Sequence, residues 1–329
     1  MRQNSSGKNV WLPTFCFRKT AFRQKNDMKK TLILLFTVFM GYSSGCLADP
    51  LQDRLDGIVA SHRARIGIVI ENADGSERAQ YHADTFFPMQ SVFKLPIALA
   101  VLDKVDKGEL SLGQPIFLKK SDLRPNTWSP LRDRYKNGNV HVSLKEILRT
   151  TMKDSDNNGC DILLKLAGGP QAVTAYLRKK GIENMTVATT ERAMHGDWNI
   201  QATNRATPAA TNRLLRLFYQ KKLLKPETQA FLWAAMRDSM VSPERLRNGL
   251  PPKTPLIHKT GTSMAFYKRQ GNTVNDVGIV ILPDGKPLFI SVLVSHGKEP
   301  KAVTEKMIAR LSRAAWEHFT SGRPPIARR

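Results

Sequence analysis

Acidic side chains are scarce in this sequence: 28 Asp and Glu stand against 51 Lys and Arg, a net charge of +23 over 329 residues. Cysteine is scarcer still, at three, which excludes the disulfide framework that staples small exported domains. No His-x-His-x-Asp or His-Glu-x-x-His pattern occurs among the seven histidines, so the common zinc hydrolase sites are not expected. The apolar run from Thr31 to Met40 is too short to span a bilayer comfortably. The basic residues are scattered and form no helix-turn-helix, RNP or zinc-finger pattern, so nucleic acid is not an expected partner. A basic face that attracts anionic substrates or a cell-wall surface is explanation enough for the charge.

With 41% hydrophobic and 24% charged residues, the chain suits a globular protein of one large or two interleaved domains. Met28-Lys29-Lys30 and the short apolar run that follows read as an export signal, with Cys46-Leu47-Ala48 as a small-residue cleavage site before Asp49. Residues 28–48 are thus a signal peptide, and residues 1–27 an upstream extension outside the fold, with translation expected to begin at Met28. A periplasmic protein without a stable membrane anchor is expected. A lipid anchor on Cys46 is the alternative, although Ser43 is a poor start for such a motif. Removing residues 1–48 takes away eight Lys/Arg and one Asp, so about +16 remains. Only Cys160 is left in the mature chain, among apolar helix positions, and reads as a buried, inert thiol.

Leu51 to His62 has helical character, and Arg65 to Ile70 and Arg78 to His82 read as strands joined by the turn Asn72-Ala73-Asp74-Gly75. A helical block follows. Ser143-Leu144-Lys145-Glu146 is a capping box, Gly168-Gly169-Pro170 ends one helix and starts another, and Thr207-Pro208 and Pro226 open two more. Leu256 to Lys259, Asn275 to Leu282 and Leu288 to Ser295 return to strand character, and a last amphipathic helix carries Val303, Met307 and Leu311. Strands joined by tight turns favour an antiparallel sheet. The expected fold is α/β of the α+β type: a five-stranded antiparallel sheet flanked by terminal helices, with an all-α domain inserted. Residues 49–90 and 241–329 would form the α/β domain, residues 91–240 the mainly helical one, and the cleft between them the site.

Phe87-Pro88-Met89-Gln90-Ser91-Val92-Phe93-Lys94 stands at a strand-to-helix junction, with Lys94 one turn along the helix from Ser91. An amine held there in a dry place takes up the proton that keeps a serine hydroxyl a poor nucleophile. On their own the two residues fit an N-capping serine and a solvated lysine equally well, since Ser5–Lys8 and Ser295–Lys298 share the spacing. Three further features sharpen the reading. Ser155-Asp156-Asn157 lies between two helices, Glu191 in the irregular stretch Thr189 to Arg205, and Lys259-Thr260-Gly261 on the first strand after the helical block.

In this order and on these elements the motifs resemble those of the class A serine β-lactamases, within the penicillin-recognising serine enzymes. The resemblance covers residues 49 to about 320. A slightly long Ser91-to-Ser155 interval is similar to the branch that includes the PER and VEB enzymes. It implies the β-lactamase/D,D-peptidase-like fold and hydrolysis of β-lactam antibiotics through a serine acyl-enzyme, with no cofactor or metal and the chain acting as a monomer. Ser91 would attack the lactam carbonyl, and the backbone N–H groups of Ser91 and Thr262 would form the oxyanion hole, worth about 10²–10³ in rate. Ser155 would pass a proton to the ring nitrogen, with Lys94 and Lys259 setting its proton affinity. Asn157 would hold the substrate's side-chain amide, and Lys259, Thr260 and Thr262 its carboxylate, with Gly261 and Ser263 on the same strand. Trp128 matches an aromatic residue at the cleft mouth. Glu191 would activate the water that hydrolyses the acyl-enzyme; whether it or Lys94 also serves acylation stays open.

The chain also departs from the family. Arg192 replaces the proline after the loop glutamate, which puts a cis bond there in doubt. His195 stands where asparagine is common, either contacting the water or filling space. Thr189 and Asn204 replace the arginine–aspartate pair that closes the loop. Asn275 replaces a strand arginine, and Arg245 is expected to supply that guanidinium to the substrate carboxylate. Gln90 and Ser263 stand in place of the cysteine pair of some carbapenemases. Together these resemble enzymes that favour cephalosporins, including those with bulky oxyimino chains. A penicillin-binding D,D-peptidase would lack Glu191, and a β-lactam sensor would stay acylated.

Overall fold

The computed structural model describes residues 50–195, 197–263 and 271–321. The signal segment and the extension read above lie outside the described residues.

The expected sheet is present. Strands β1 (Arg65–Glu71), β2 (Arg78–Tyr81), β3 (Leu256–Thr262), β4 (Val274–Ile281) and β5 (Pro287–Ser295) form a five-stranded sheet in the order β2-β1-β5-β4-β3. Every neighbouring pair is antiparallel. The first two strands and the last three therefore meet at β1 and β5, with Arg65 opposite Ser295 and Glu71 opposite Phe289. Helices α1 (Pro50–Val59) and α9 (Lys301–Thr320) pack together on one face.

Strand β5 is buried at every position and reads as an almost unbroken apolar run, because both faces of the sheet are covered. Period-two alternation divides its side chains. Leu288, Ile290, Val292 and Val294 join α1 and α9, whereas Phe289 and Leu293 join the helical block.

That block contains α2 (Lys94–Asp106), α3 (Leu144–Lys153), α4 (Asn157–Ala167), α5 (Pro170–Lys179), α6 (Glu191–Met194), α7 (Pro208–Tyr219) and α8 (Pro226–Arg237). Its start and stop signals act as their chemistry dictates. Gly168 closes α4 at φ +99°, a backbone conformation that disfavours any side chain, and Pro170 begins α5 where no intrahelical N–H is needed. Thr207 caps α7 by accepting from Ala210 N at 3.1 Å.

Candidate active site

Ser91 lies in a short 3-10 turn, Gln90–Phe93, that runs directly into α2, so the expected helix start is a tighter turn than an α-helix. Lys94 is the first residue of α2 and is fully buried. Its ammonium donates to Ser91 Oγ at 2.9 Å, Ser155 O at 2.9 Å and Asn157 Oδ1 at 2.5 Å. Glu191 Oε1 lies 3.0 Å away. Four side chains or carbonyls from three chain segments thus converge on one buried nitrogen, whose burial is offset by opposite charge and hydrogen bonds.

Ser155 sits between α3 and α4 at φ +60°, a strained conformation for a residue with a side chain. Asp156 holds the turn by capping α4. Its carboxylate accepts from Gly159 N at 2.7 Å, Leu131 N at 2.7 Å and the Ser129 hydroxyl at 2.9 Å. Burial pushes this carboxyl group up from its ordinary value, against the pull of those donors.

The Ser155 hydroxyl oxygen accepts from Lys259 Nζ at 2.9 Å and from Lys94 Nζ at 3.4 Å. With both lone pairs facing ammonium groups, its own proton is left to point elsewhere. Burial first, and then the nearby positive charge of Lys94, drives the Lys259 ammonium well below the ordinary lysine value.

Asn157 is the first residue of α4, and its amide is fixed at both ends, by Lys94 and by a 2.7 Å bond to Thr127 Oγ1. Trp128, next to Thr127, is 61% exposed, and its indole N–H donates to Asp154 O at 2.8 Å.

Strand β3 brings Lys259, Thr260, Gly261 and Thr262 past the Ser91 turn. A Cβ on Gly261 would stand 2.5 Å from Met89 O and 3.2 Å from Ser91 N, so only glycine allows this approach. Ser263 ends the strand by exchanging bonds with Thr273, its hydroxyl accepting from Thr273 N at 3.0 Å.

Arg245 does not face the cleft as a free guanidinium. It is fully buried behind β3, donating to Gly261 O at 3.1 Å, Asn275 O at 2.8 Å, Glu305 Oε1 at 3.2 Å and Thr262 Oγ1 at 2.6 Å. The Thr262 hydroxyl is therefore the point where it reaches the strand's exposed end.

Glu191 opens the four-residue helix α6, which Thr190 caps by accepting from Ala193 N at 3.0 Å. Among the described residues no peptide bond is cis, the Glu191–Arg192 bond included. Asn204 closes the loop in place of a charged pair. Its side-chain oxygen accepts from Ala188 N at 2.7 Å and Thr189 N at 3.0 Å, and its amide donates to Thr189 O at 3.1 Å. The Asn204 backbone oxygen also accepts from Met89 N at 2.8 Å, tying the loop to the Ser91 turn. His195 lies at the exposed C-terminal end of α6.

Two contributors were not anticipated. Asp161, one turn beyond Asn157 on α4, accepts the backbone N–H of Glu191 and of Arg192. Its i, i+4 spacing from Asn157 is the signal that places it on the same helix face. Asn275 donates from its amide to Pro88 O at 2.8 Å and Met89 O at 2.9 Å, bracing the segment before Ser91. Cys160 is free and buried, as expected, and burial pushes its thiol well up. No cluster of three or more metal-ligating side chains occurs among the described residues.

The chain is similar to known proteins over most of its length. The family described as "Beta-lactamase enzyme family" matches residues 50–319. The chain is 39% identical to the β-lactamase VEB-1 of Pseudomonas aeruginosa over 295 residues, 89% of this chain and 98% of that protein. It is 34% identical to the extended-spectrum β-lactamase PER-1 of the same organism over 284 residues, 86% and 92% of the two chains. The crystal structure of TLA-3 extended-spectrum β-lactamase superposes with a TM-score of 0.81 at 39% identity, covering 83% of this chain and 99% of that one. A class A β-lactamase from Bacteroides cellulosilyticus gives 0.78 at 34%, covering 83% and 98%.

Proposed function

The chain belongs to the β-lactamase enzyme family and is a class A serine β-lactamase, an enzyme of antibiotic resistance that hydrolyses β-lactams through an acyl-enzyme; on that premise we propose that Ser91 is its nucleophile. The observation that supports this most is the single buried ammonium of Lys94, within hydrogen-bond reach of Ser91 Oγ and Glu191 Oε1. Attack of Ser91 Oγ on the lactam carbonyl, its proton passing to Lys94 as the Lys94 ammonium gives one to Glu191, forms the acyl ester and breaks the ring C–N bond, with the oxygen charge met by the Ser91 and Thr262 backbone N–H groups. Ser155, whose hydroxyl oxygen faces two ammonium groups, gives its proton to the departing nitrogen and is restored through Lys94. Glu191, its own proton returned to Lys94, then takes a proton from the water that attacks the ester, and Ser91 Oγ leaves with a proton passed back through Lys94. Asn157 and Trp128 receive the acylamino side of the drug. Lys259, Thr260 and Thr262 receive its carboxylate, with Gly261 and Ser263 shaping the strand edge.

Arg245 serves that carboxylate through Thr262. Its N–H occupies a lone pair of the threonine oxygen, which leaves the hydroxyl proton to be donated to the substrate. His195, on the exposed end of α6, is assigned to the water's surroundings. The deciding experiment is mass spectrometry of Glu191→Ala with a cephalosporin: a stable one-to-one adduct is expected, and rapid turnover removes Glu191 from this role.

The substrate preference we assign is cephalosporins, oxyimino compounds included, alongside penicillins. It rests on the altered loop around Glu191, on Ser263, and on the description of PER-1 and TLA-3 as extended-spectrum enzymes. Benzylpenicillin turned over as well as every cephalosporin tried would overturn it. The division into an α/β part (49–90 with 241–329) and a helical part (91–240) is supported by one apolar cluster drawn wholly from residues 51–79 and 246–319. Export through residues 28–48 and a monomeric state complete the reading. Among the described residues no helix is long and apolar enough to cross a membrane.

A further inference from the structure

A cavity of about 520 Å³ opens beside the Glu191 helix, and none of Ser91, Lys94, Ser155, Asn157 or Lys259 lines it. Its volume is within the range of small-molecule sites, roughly 300–1,000 Å³. Ile116, Phe117, Ile162 and Leu166 give it an apolar wall, and Phe117 is 46% exposed. An exposed ring in a concave wall is a place for a flat apolar body.

The charges of the lining favour an anion. Arg124, Lys165 and Arg192 contribute three cations against the carboxylates of Asp122 and Asp161, and Arg124 is paired with Asp161 at 3.8 Å, so Lys165 and Arg192 carry the positive charge that faces the cavity. Both carboxylates already have donors: Asp122 accepts from Lys119 N at 3.0 Å, and Asp161 from the Glu191 and Arg192 backbone. Lys165 and Arg192 are exposed, and the side-chain hydrogen bond of Arg192 is a long one, 3.4 Å to Ser121 O. Positive charge facing a cavity beside an apolar wall suits a ligand with an aromatic body and one acidic group.

The same lining includes the groups that fix Glu191. Thr190 caps its helix, Asp161 holds its backbone N–H, and Arg192 follows it in the chain. We propose that this cavity is a second ligand site, separate from the Ser91 cleft, that takes an aromatic anion and, when filled, slows hydrolysis of the acyl-enzyme. The effect on hydrolysis rests on the reading of Glu191 given above; the binding does not.

The probe is 8-anilinonaphthalene-1-sulfonate, titrated by fluorescence into the full protein. One probe per chain is expected, with unchanged affinity when Ser91→Ala protein is saturated with a cephalosporin. Phe117→Asp and Lys165→Glu should each weaken the probe about tenfold or more while leaving nitrocefin turnover without probe unchanged, which also reports that both variants are folded. In the wild type, saturating probe should lower turnover severalfold with acyl-enzyme accumulating in the mass spectrum. Displacement by the cephalosporin, or equal affinity in both variants, overturns the site. Binding that leaves deacylation untouched overturns its coupling to Glu191. A fast Glu191→Ala enzyme would refute only the Glu191 reading, because the fluorescence titration is independent of turnover.

Discussion

The Asp161 carboxylate accepts the backbone N–H of Glu191 at 2.7 Å and that of Arg192 at 2.9 Å, each through a different oxygen. A residue on α4 therefore aims the first turn of the helix that carries the loop glutamate. Asp161→Ala leaves two N–H groups without their acceptor, a loss of about 1–3 kcal/mol for each that stays buried. Turnover should fall tenfold or more, with the acyl-enzyme accumulating and the acylation rate little changed. Asp161→Asn keeps one acceptor oxygen and sets an amide N–H₂ against the second donor, so it should fall between. Stopped-flow acylation and mass-spectrometric decay of the adduct separate the two steps. An Asp161→Ala enzyme that deacylates at the wild-type rate shows that α6 needs no such support.

The proton on Lys259 should make ligand binding and stability respond to pH with opposite signs. Burial and the Lys94 charge set its folded value well below the ordinary 10.5. In the window between that lowered value and 10.5, the native state releases the proton before the unfolded chain does, so stability rises with pH. Over the same window the strand loses the cation that meets the substrate carboxylate. KM for a cephalosporin should then climb by about tenfold per pH unit above the lowered value. Thermal unfolding and steady-state kinetics across the alkaline range test both halves, and Lys259→Met should lack the stability gain. A KM that stays flat up to pH 10.5 contradicts the assignment.

Arg245 should show a stability loss and a binding loss that separate by substitution. Arg245→Ala strands the buried Glu305 carboxylate, and breaking such a pair costs about 3–5 kcal/mol. The lower end is expected, because Lys301 Nζ remains 3.0 Å from Glu305 Oε1. Arg245→Lys restores a charge but not the fork that reaches Thr262, Gly261 and Asn275 together. It should recover part of the melting temperature while KM stays raised and kcat changes less. If KM recovers with stability, Thr262 needs no guanidinium behind it.

These residues also mark what the sequence could and could not convey. The caps at Ser143, Gly168 and Thr207 and the three late strands were legible because their signals are local. The box at Ser143 is only half formed, since Glu146 turns its carboxylate to Tyr135 and Arg134 instead of the Ser143 N–H. The two-residue strands at Phe87–Pro88, Met185–Thr186 and Arg205–Ala206 were illegible, being too short to show any period. Ser91, Lys94, Ser155, Glu191 and Lys259 were legible as motifs. The 30-residue separation of Asp161 from Glu191 leaves no local trace. Arg245 reads as a guanidinium for the substrate carboxylate, and nothing local shows that Glu305, 60 residues later, meets it in the interior.

Asn275 should govern the acylation step from behind the nucleophile. It is fully buried on β4 opposite Gly261, where the strand passes closest to Met89 and Ser91. Its amide donates to two successive carbonyls, Pro88 O and Met89 O, while its oxygen accepts from Val294 N at 2.9 Å. Only a side chain with both a donor pair and an acceptor satisfies this set. Asn275→Asp keeps the acceptor but faces a carboxylate to two carbonyl oxygens, and Asn275→Ala abandons all three partners. Each unsatisfied buried group costs about 1–3 kcal/mol, and Met89 O loses least because it still accepts from Val92 N at 3.2 Å. Both variants should melt earlier, with Asn275→Asp the worse. Nucleophile position is the more telling quantity, since a small displacement of a reacting atom slows its step by orders of magnitude. The acylation rate with nitrocefin should drop at least tenfold at temperatures where both variants are folded, with deacylation unaffected. A lower melting temperature with wild-type acylation would reduce Asn275 to a support of the sheet alone.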